Sequence, residues 1–282
     1  MTETGLPDAG ADTVAQSPLL QLAPCEGESW QAVAEGRLCV GYPGSRFLFG
    51  GTIVAGCAEA IARSVGLPPT VMAVQFFSKV EPEETITFAV SQSARKGRIR
   101  QVQVHAAVGP RPVAEVLAVA GSRDDAEAWP GRTRPDVPPP ERCRPVSIAR
   151  LMSSNLQALF ELRLVAGALP DRPGWTCERA GRTVFWVRSR DGRPADRPLL
   201  AILGDFLALG ISGAMGHTAS GTSLDNHIRF IADGPADWVL CEIEMIAIAD
   251  GLIHGRMHML APDGAMLAIA SQTMALRQAP GG

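Results

Sequence analysis

Hydrophobic and polar residues alternate along much of the chain, in segments that follow the same order twice. In the first half, small apolar residues predict a helix over Ile53–Val65. The alternating segments that follow this helix predict antiparallel strands over Val71–Val80, Thr85–Ala94, Arg98–Val108 and Pro112–Gly121.

The second half repeats this order at an offset of about 153 residues. Its helix is predicted near Leu199–Met215. Its strands are predicted over Thr222–Ile231, Trp238–Ile248, Leu252–Ala261 and Ala265–Leu276. On this offset Thr52 corresponds to Asp205, Thr70 to Ser223 and Val119 to Gln272. Only the second copy carries a carboxylate at these positions.

Further segments precede each helix. Alternation around Gly36 predicts a hairpin over Gln31–Val40. Leu156–Val165 and Arg182–Arg190 alternate as strands before the second helix. Turn residues lie at matching places in the two copies, at Lys96-Gly97 and Asp250-Gly251.

These elements predict an α+β chain of two fused helix-in-antiparallel-sheet domains. A helix that is apolar nearly all round must be buried, and a curved sheet wrapped around it meets that need, which is the layout of a hotdog domain. We expect a disordered leader over residues 1–17, an N-terminal domain over 18–123, a Pro-rich linker over 124–145 and a C-terminal domain over 146–282.

Composition excludes several classes of protein. The 282 residues are 46% hydrophobic and carry a net charge of −3, with scattered basic residues and no basic patch for nucleic acid. The sequence has neither a signal peptide pattern nor an apolar run long enough to span a membrane. Its six cysteines form no C-x-x-C pair, so we expect a reduced, cytoplasmic setting.

Three polar residues interrupt apolar segments of the second copy. Asp205 lies among leucines, isoleucine and phenylalanine, Ser223 opens a strand, and Gln272 breaks the alternation of the last strand. A buried carboxylate is costly unless it is hydrogen-bonded or functional. Together the three groups could hold one water molecule; the alternative is an acid that only braces an irregular helix.

Several motifs in one order carry a resemblance. They are Phe49-Gly50-Gly51, Arg95-Lys96-Gly97-Arg98, Leu203-Gly204-Asp205-Phe206, Thr222-Ser223-Leu224-Asp225 and Ala270-Ser271-Gln272. In this order the chain resembles the acyl-CoA thioesterase II family over roughly Trp30 to Arg277.

The resemblance implies a double-hotdog hydrolase that releases free acid and CoA from acyl-CoA without a metal or organic cofactor. By motif match, Asp205, Ser223 and Gln272 would position the hydrolytic water. Backbone N–H groups at a glycine-opened helix start suit an oxyanion, which makes Gly50 and Gly51 candidates. Close helix–sheet packing is the alternative for these glycines.

Other interpretations remain beside this one. The chain has Leu224-Asp225-Asn226 where the family commonly has Leu-Asp-His. A non-catalytic acyl-CoA or lipid-binding protein and a hotdog hydratase are the alternative functions. His254 and His258 share a strand face but lack a third zinc ligand nearby, so we expect no metal. Exposed sheet edges predict a homo-oligomer.

Overall fold

The computed structural model of the chain describes two similar sets of elements joined into one large sheet. The predicted leader and parts of the predicted linker lie outside the described residues. The described residues are 19–41, 44–93, 97–122, 127, 129, 131, 135–147, 155–170, 172, 174–233 and 237–277.

The described residues of the first half form eight strands, a short 3-10 turn at Gly36–Leu38 and one long helix, α1 (Gly50–Val65). Its strands are β1 (Ala23–Cys25), β2 (Ser29–Val33), β3 (Cys39–Val40), β4 (Phe47–Leu48), β5 (Pro69–Phe76), β6 (Thr85–Gln92), β7 (Arg100–Val108) and β8 (Arg111–Ala120).

The described residues of the second half form eight more strands, with a 3-10 turn at Pro140–Arg142 before the first of them. They are β9 (Arg144–Val146), β10 (Phe160–Ala166), β11 (Arg182–Ser189), β12 (Ser220–Ser223), β13 (Asp225–Phe230), β14 (Val239–Ala249), β15 (Leu252–Leu260) and β16 (Met266–Arg277). Its helices are α2 (Asn155–Ala158), α3 (Arg197–Gly204) and α4 (Gly210–Met215), the last two joined by a 3-10 segment, Asp205–Leu209.

Strand order repeats on the two sides of a central seam. Strands β5 and β13 pair antiparallel there, from Asp225 opposite Gln75 to Arg229 opposite Val71. Outward from the seam the order is β8, β7, β6, β2 on one side and β16, β15, β14, β11 on the other. The α+β class and the antiparallel pairing predicted from the sequence are therefore confirmed. The domain boundaries remain a prediction.

The two long helical segments pack against each other on the inner face of the sheet. A Cβ at Gly51 would lie 2.8 Å from the carbonyl oxygen of Ile202, so the backbones of α1 and α3 approach closely only because that residue is glycine. Apolar side chains from both halves form one buried cluster around the helices. The site described below lies at this contact.

Local residues explain where the helices begin and end. Helix α1 ends at Gly66, which has a positive φ of 70°, as a helix C-terminus favours. Helix α3 begins after Asp196, whose carboxylate accepts a hydrogen bond from the Leu199 N–H at 2.9 Å, and Pro198 follows in the first turn.

Two local predictions are wrong. The segment Gln31–Val40 is not a hairpin, because β2 pairs with β1 and β6 while β3 pairs with β4. Between them a 3-10 turn satisfies its backbone locally, with the Leu38 N–H donating to the Glu35 carbonyl. Leu156 lies in a helix rather than at the start of a strand, and β10 begins at Phe160.

Contrary to the expectation from the sequence, one helix among the described residues is long and apolar enough to cross a membrane by length and composition. It runs from Arg197 to Met215, and 72% of its most apolar window is buried inside the protein. The surrounding sheet and α1 therefore account for its apolar composition, and it is a core helix.

Candidate active site

Asp205 lies where the second helix changes its winding. Helix α3 ends at Gly204, and Asp205 begins the 3-10 segment that links it to α4. A 3-10 stretch inside a longer helix often marks a functional position. The Asp205 side chain is only 2% exposed, among the side chains of both halves.

Hydrogen-bond donors from three other elements converge on the Asp205 carboxylate. The Ser223 hydroxyl donates to Oδ1 at 3.1 Å, and Gln272 Nε2 donates to the same oxygen at 2.5 Å. The Gly51 N–H donates to Oδ2 at 2.7 Å. Gln272 Nε2 also lies 2.9 Å from Ser223 Oγ. The three polar residues predicted from the sequence therefore form one connected cluster.

Burial sets the protonation behaviour of this carboxyl group. Loss of solvent raises the pKa of Asp205, and the hydrogen bonds from Gln272, Gly51 and Ser223 lower it by less, so the net effect is a rise from 3.8 to about 6. At pH 7 the group is mostly ionised and yet basic enough to accept a proton. This combination is the one expected of a general base.

Gly50 and Gly51, the first two residues of α1, lie against the Asp205 carboxylate. A Cβ at Gly50 would lie 2.8 Å from Asp205 Oδ2, and the Gly51 N–H already donates to that oxygen. The group assigned to an oxyanion at Gly51 is therefore engaged with the base itself. Gly51 also allows the close helix contact at Ile202, as the alternative interpretation expected.

A bulge between β12 and β13 places Ser223 at the site. Ser223 is opposite Met274 on β16, whereas His227 is opposite Ser271, so the pairing register shifts by one residue between them. Asp225 stabilises this bulge by accepting a hydrogen bond from the Thr273 N–H at 2.6 Å. Asp225 therefore supports the strand segment that carries Ser223.

Asn226 is a residue that the sequence interpretation missed. Asn226 precedes His227, which pairs with Ser271, and Gln272 follows Ser271, so the register of β13 and β16, continued by one residue, puts Asn226 and Gln272 at neighbouring positions. Both side chains are buried, and Asn226 is 0% exposed. Within the described part of the chain, neither its Oδ1 nor its Nδ2 has a hydrogen-bond partner, nor has Gln272 Oε1. The signal was in the sequence, because Asn226 is polar at an inward position shared with Ile228 and Phe230.

The corresponding place in the first copy has no carboxylate. Thr52 stands there, and the Thr70 hydroxyl donates to the Val119 backbone carbonyl at 3.1 Å. The Thr70 hydroxyl is thus satisfied within its own sheet, whereas the buried Thr52 Oγ1 has no hydrogen-bond partner among the described residues. The ionisable group of the site comes from the second half, and the first half contributes the Gly51 N–H.

Comparison with known proteins identifies a family for the chain. A family model described as the acyl-CoA thioesterase C-terminal domain matches residues 132–276, which is half of the chain. No curated protein sequence matches the chain significantly.

Solved structures share the fold over nearly the whole chain. A Novosphingobium aromaticivorans protein provisionally named a thioesterase is 28% identical, with a TM-score of 0.82 over 93% of this chain and 100% of that one. A hotdog-fold protein from Alicyclobacillus acidocaldarius is 18% identical, with a TM-score of 0.75 over 92% and 96%. The acyl-CoA thioesterase II TesB2 of Mycobacterium marinum is 19% identical, with a TM-score of 0.72 over 94% and 97%. With its double-hotdog fold, the chain belongs to the acyl-CoA thioesterase family and is a thioester hydrolase.

Proposed function

We propose that the protein hydrolyses acyl-CoA to free acid and CoA with a water molecule activated by Asp205. The observation that carries this proposal is the Asp205 carboxylate, which is buried, has a pKa raised to about 6 and is fixed by Ser223, Gln272 and Gly51. An acid that stabilises the fold through its charge has a lowered pKa, whereas burial here raises the pKa of Asp205.

The proposed reaction uses one water molecule, the Asp205 cluster and a backbone N–H group of α1. Asp205 takes a proton from the water as its oxygen attacks the thioester carbonyl carbon, and Ser223 and Gln272 fix the geometry of the base. The tetrahedral intermediate then expels the CoA thiolate, which takes the proton back from Asp205. We propose the Gly50 N–H, at the start of α1, as a donor to the oxyanion.

Two alternatives remain testable. A non-catalytic acyl-CoA or lipid-binding protein would have the same fold without turnover. A hydratase would use a histidine together with an acid. On β13, however, His227 alternates with the inward residues Asn226 and Ile228, so its side chain points away from the face that Asp205 contacts.

Thiol release from a series of acyl-CoA substrates separates the enzyme from the binder. We expect hydrolysis by the wild-type protein and a loss of about a hundred- to ten-thousand-fold in kcat for Asp205→Asn, the usual contribution of one positioned base. The matched control is Asp196→Asn, because asparagine caps a helix as well as aspartate does. Binding of acyl-CoA without thiol release by the wild-type protein would favour the binder instead.

A further inference from the structure

A pair of cations lies over one aromatic ring near the candidate active site. The Lys79 ammonium is 4.6 Å from the ring centroid of Phe47, and the Arg277 guanidinium carbon is 5.9 Å from it. Both cationic side chains are exposed. We call these three residues the Phe47 patch.

The positive charges of the patch are not neutralised within the described part of the chain. No described carboxylate forms an ion pair with Lys79 or Arg277, unlike Arg111 nearby, which pairs with Glu84. Desolvation and the charge of Arg277 lower the pKa of Lys79. Two like charges held together on a protein of net charge −3 form a local site that attracts anions.

A hydrogen bond and short chain segments place the Phe47 patch beside the Asp205 cluster. Arg277 Nε donates to Thr222 Oγ1 at 2.6 Å, and Thr222 directly precedes Ser223. On the other side, Phe47 comes three residues before Gly50, a span of about 10 Å at most. The patch therefore flanks the site at β12, through Thr222, and at β4, which leads into α1.

We propose that Lys79 and Arg277 bind the phosphate groups of CoA. This inference rests on the proposed function and names the subsite for the nucleotide end of its substrate. In acyl-CoA the long pantetheine arm separates the thioester from the phosphates. The phosphates therefore need a cationic site that lies near the Asp205 carboxylate but is separate from it. The guanidinium offers paired N–H donors to phosphate oxygens, and Lys79 adds a point charge.

The test compares two substrates that share the acyl group. One is acyl-CoA, and the other is the corresponding acyl-pantetheine, which has no phosphate. For Lys79→Gln/Arg277→Gln we expect KM for acyl-CoA to rise about tenfold or more, the effect of losing charge-assisted hydrogen bonds. We expect kcat to stay near the wild-type value and KM for acyl-pantetheine to stay unchanged. Arg256→Gln, which removes an exposed cation on β15, is the control.

An unchanged KM for acyl-CoA, or an equal rise for both substrates, would overturn the proposal. Titration of free CoA by calorimetry tests the patch separately from catalysis, since the double variant should bind CoA about tenfold more weakly than wild type. If the wild-type protein releases no thiol, the proposed function fails, and this binding difference still decides for or against the patch.

A different observation supports a second inference, at Asn226. Among the described residues, three amide atoms of two buried residues at neighbouring strand positions have no hydrogen-bond partner: both polar atoms of Asn226 and Oε1 of Gln272. Side chains directly opposite on antiparallel strands have Cβ atoms about 5 Å apart. Gln272 Nε2 meanwhile holds the Asp205 carboxylate. Unpartnered donors and acceptors thus lie immediately beside the group proposed as base.

We infer that Asn226 contacts the reacting thioester, with Nδ2 donating to its carbonyl oxygen. A buried amide without partners is destabilising, so its presence beside the base indicates a group that is completed by substrate. A donor there would stabilise the negative charge that develops on the carbonyl oxygen as water attacks. This inference also rests on the proposed function.

Asn226→Leu separates this role from a structural one. Because leucine removes unpartnered buried polar atoms, we expect the thermal midpoint to stay the same or rise, while kcat/KM falls about a hundred- to a thousandfold, as for loss of one oxyanion donor. Asn226→His, which retains an N–H donor, should recover part of that loss. A lower midpoint with preserved kcat/KM in Asn226→Leu would contradict the inference.

A substrate analogue tests the same contact without turnover. In the ketone analogue of acyl-CoA a methylene group replaces the sulfur. The carbonyl oxygen remains, but the acyl group cannot be cleaved from the CoA part. Calorimetry should find about tenfold weaker binding of this ketone to Asn226→Leu than to wild type. Free CoA, which lacks the carbonyl, should bind both proteins equally. Equal ketone affinity would overturn the inference whether or not the wild-type protein hydrolyses thioesters.

Discussion

The pKa of Asp205 determines how activity should depend on pH. The base must be ionised, so we expect kcat/KM to rise with pH through about 6 and to level off above it. Asp205→Asn should lose this step along with most of the activity. The measurement is kcat/KM for one acyl-CoA between pH 4.5 and 8. A profile that is flat in this range would show that another group limits the reaction.

The same pKa gives the sign of a stability effect. The folded pKa is raised above the ordinary 3.8, so the folded protein binds more protons than the unfolded chain between about pH 4 and 6. The contribution of Asp205 to stability therefore decreases as pH rises through this window. We expect the thermal midpoint of Asp205→Asn, relative to wild type, to be higher at pH 8 than at pH 4.5. The opposite change would indicate an acid that stabilises the fold when ionised.

Ser223 offers a graded test of the cluster. Its hydroxyl is one of three donors that lower the pKa of Asp205. Ser223→Ala should therefore move the pH midpoint of kcat/KM upward and reduce its plateau less than Asp205→Asn does, because Gln272 and Gly51 still hold the base. An unchanged midpoint would mean that the hydroxyl is not bonded to the carboxylate in solution.

At the scale of elements, the close contact of α1 and α3 should be sensitive to a single methyl group. A Cβ at Gly51 would lie 2.8 Å from the Ile202 carbonyl oxygen, so Gly51→Ala must separate the two helices. We expect a loss of about 1–3 kcal/mol in the free energy of unfolding, as for other overpacked cores. Activity should fall as well, because the Gly51 N–H moves from Asp205.

Denaturant unfolding and thiol release on the same sample measure both effects. Gly36→Ala is the matched control, since a Cβ there would meet nothing closer than 4.0 Å and its φ is not positive. If the Gly51→Ala variant is as stable and as active as the wild-type protein, α1 and α3 do not pack this closely.

Elements with a strong local pattern could be predicted from the sequence. The small apolar helix, the long alternating strands and the Asp250-Gly251 turn each carry their signal within a few residues, and the structure has a positive φ at both turn residues. The hairpin predicted around Gly36 is wrong because pairing partners are chosen across the sheet: β2 pairs with β6, over fifty residues away. The unpartnered state of Asn226 likewise depends on distant strands.

At the scale of the whole molecule, the ends of the sheet bear on assembly. The outermost strands, β1 and β9, have three residues each and so offer few backbone groups for pairing with another copy. A homo-oligomer through the sheet edges remains a prediction. Sedimentation of the purified protein measures its mass, and a monomer at assay concentrations would contradict it.

The continuity of the sheet predicts that neither half functions alone. Residues 146–282 hold Asp205, Ser223 and Gln272, but the Gly51 N–H that fixes the carboxylate and the β5 partner of β13 both come from the other half. Without β5, strand β13 would present an unpaired edge next to the Asp205 cluster. We expect residues 146–282 alone to lack thiol release and to fold poorly by circular dichroism. Co-expression with residues 1–145 should restore both properties, because the seam and the helix contact can reform without a covalent linker. Full activity of the isolated second half would show that the site does not need the first half.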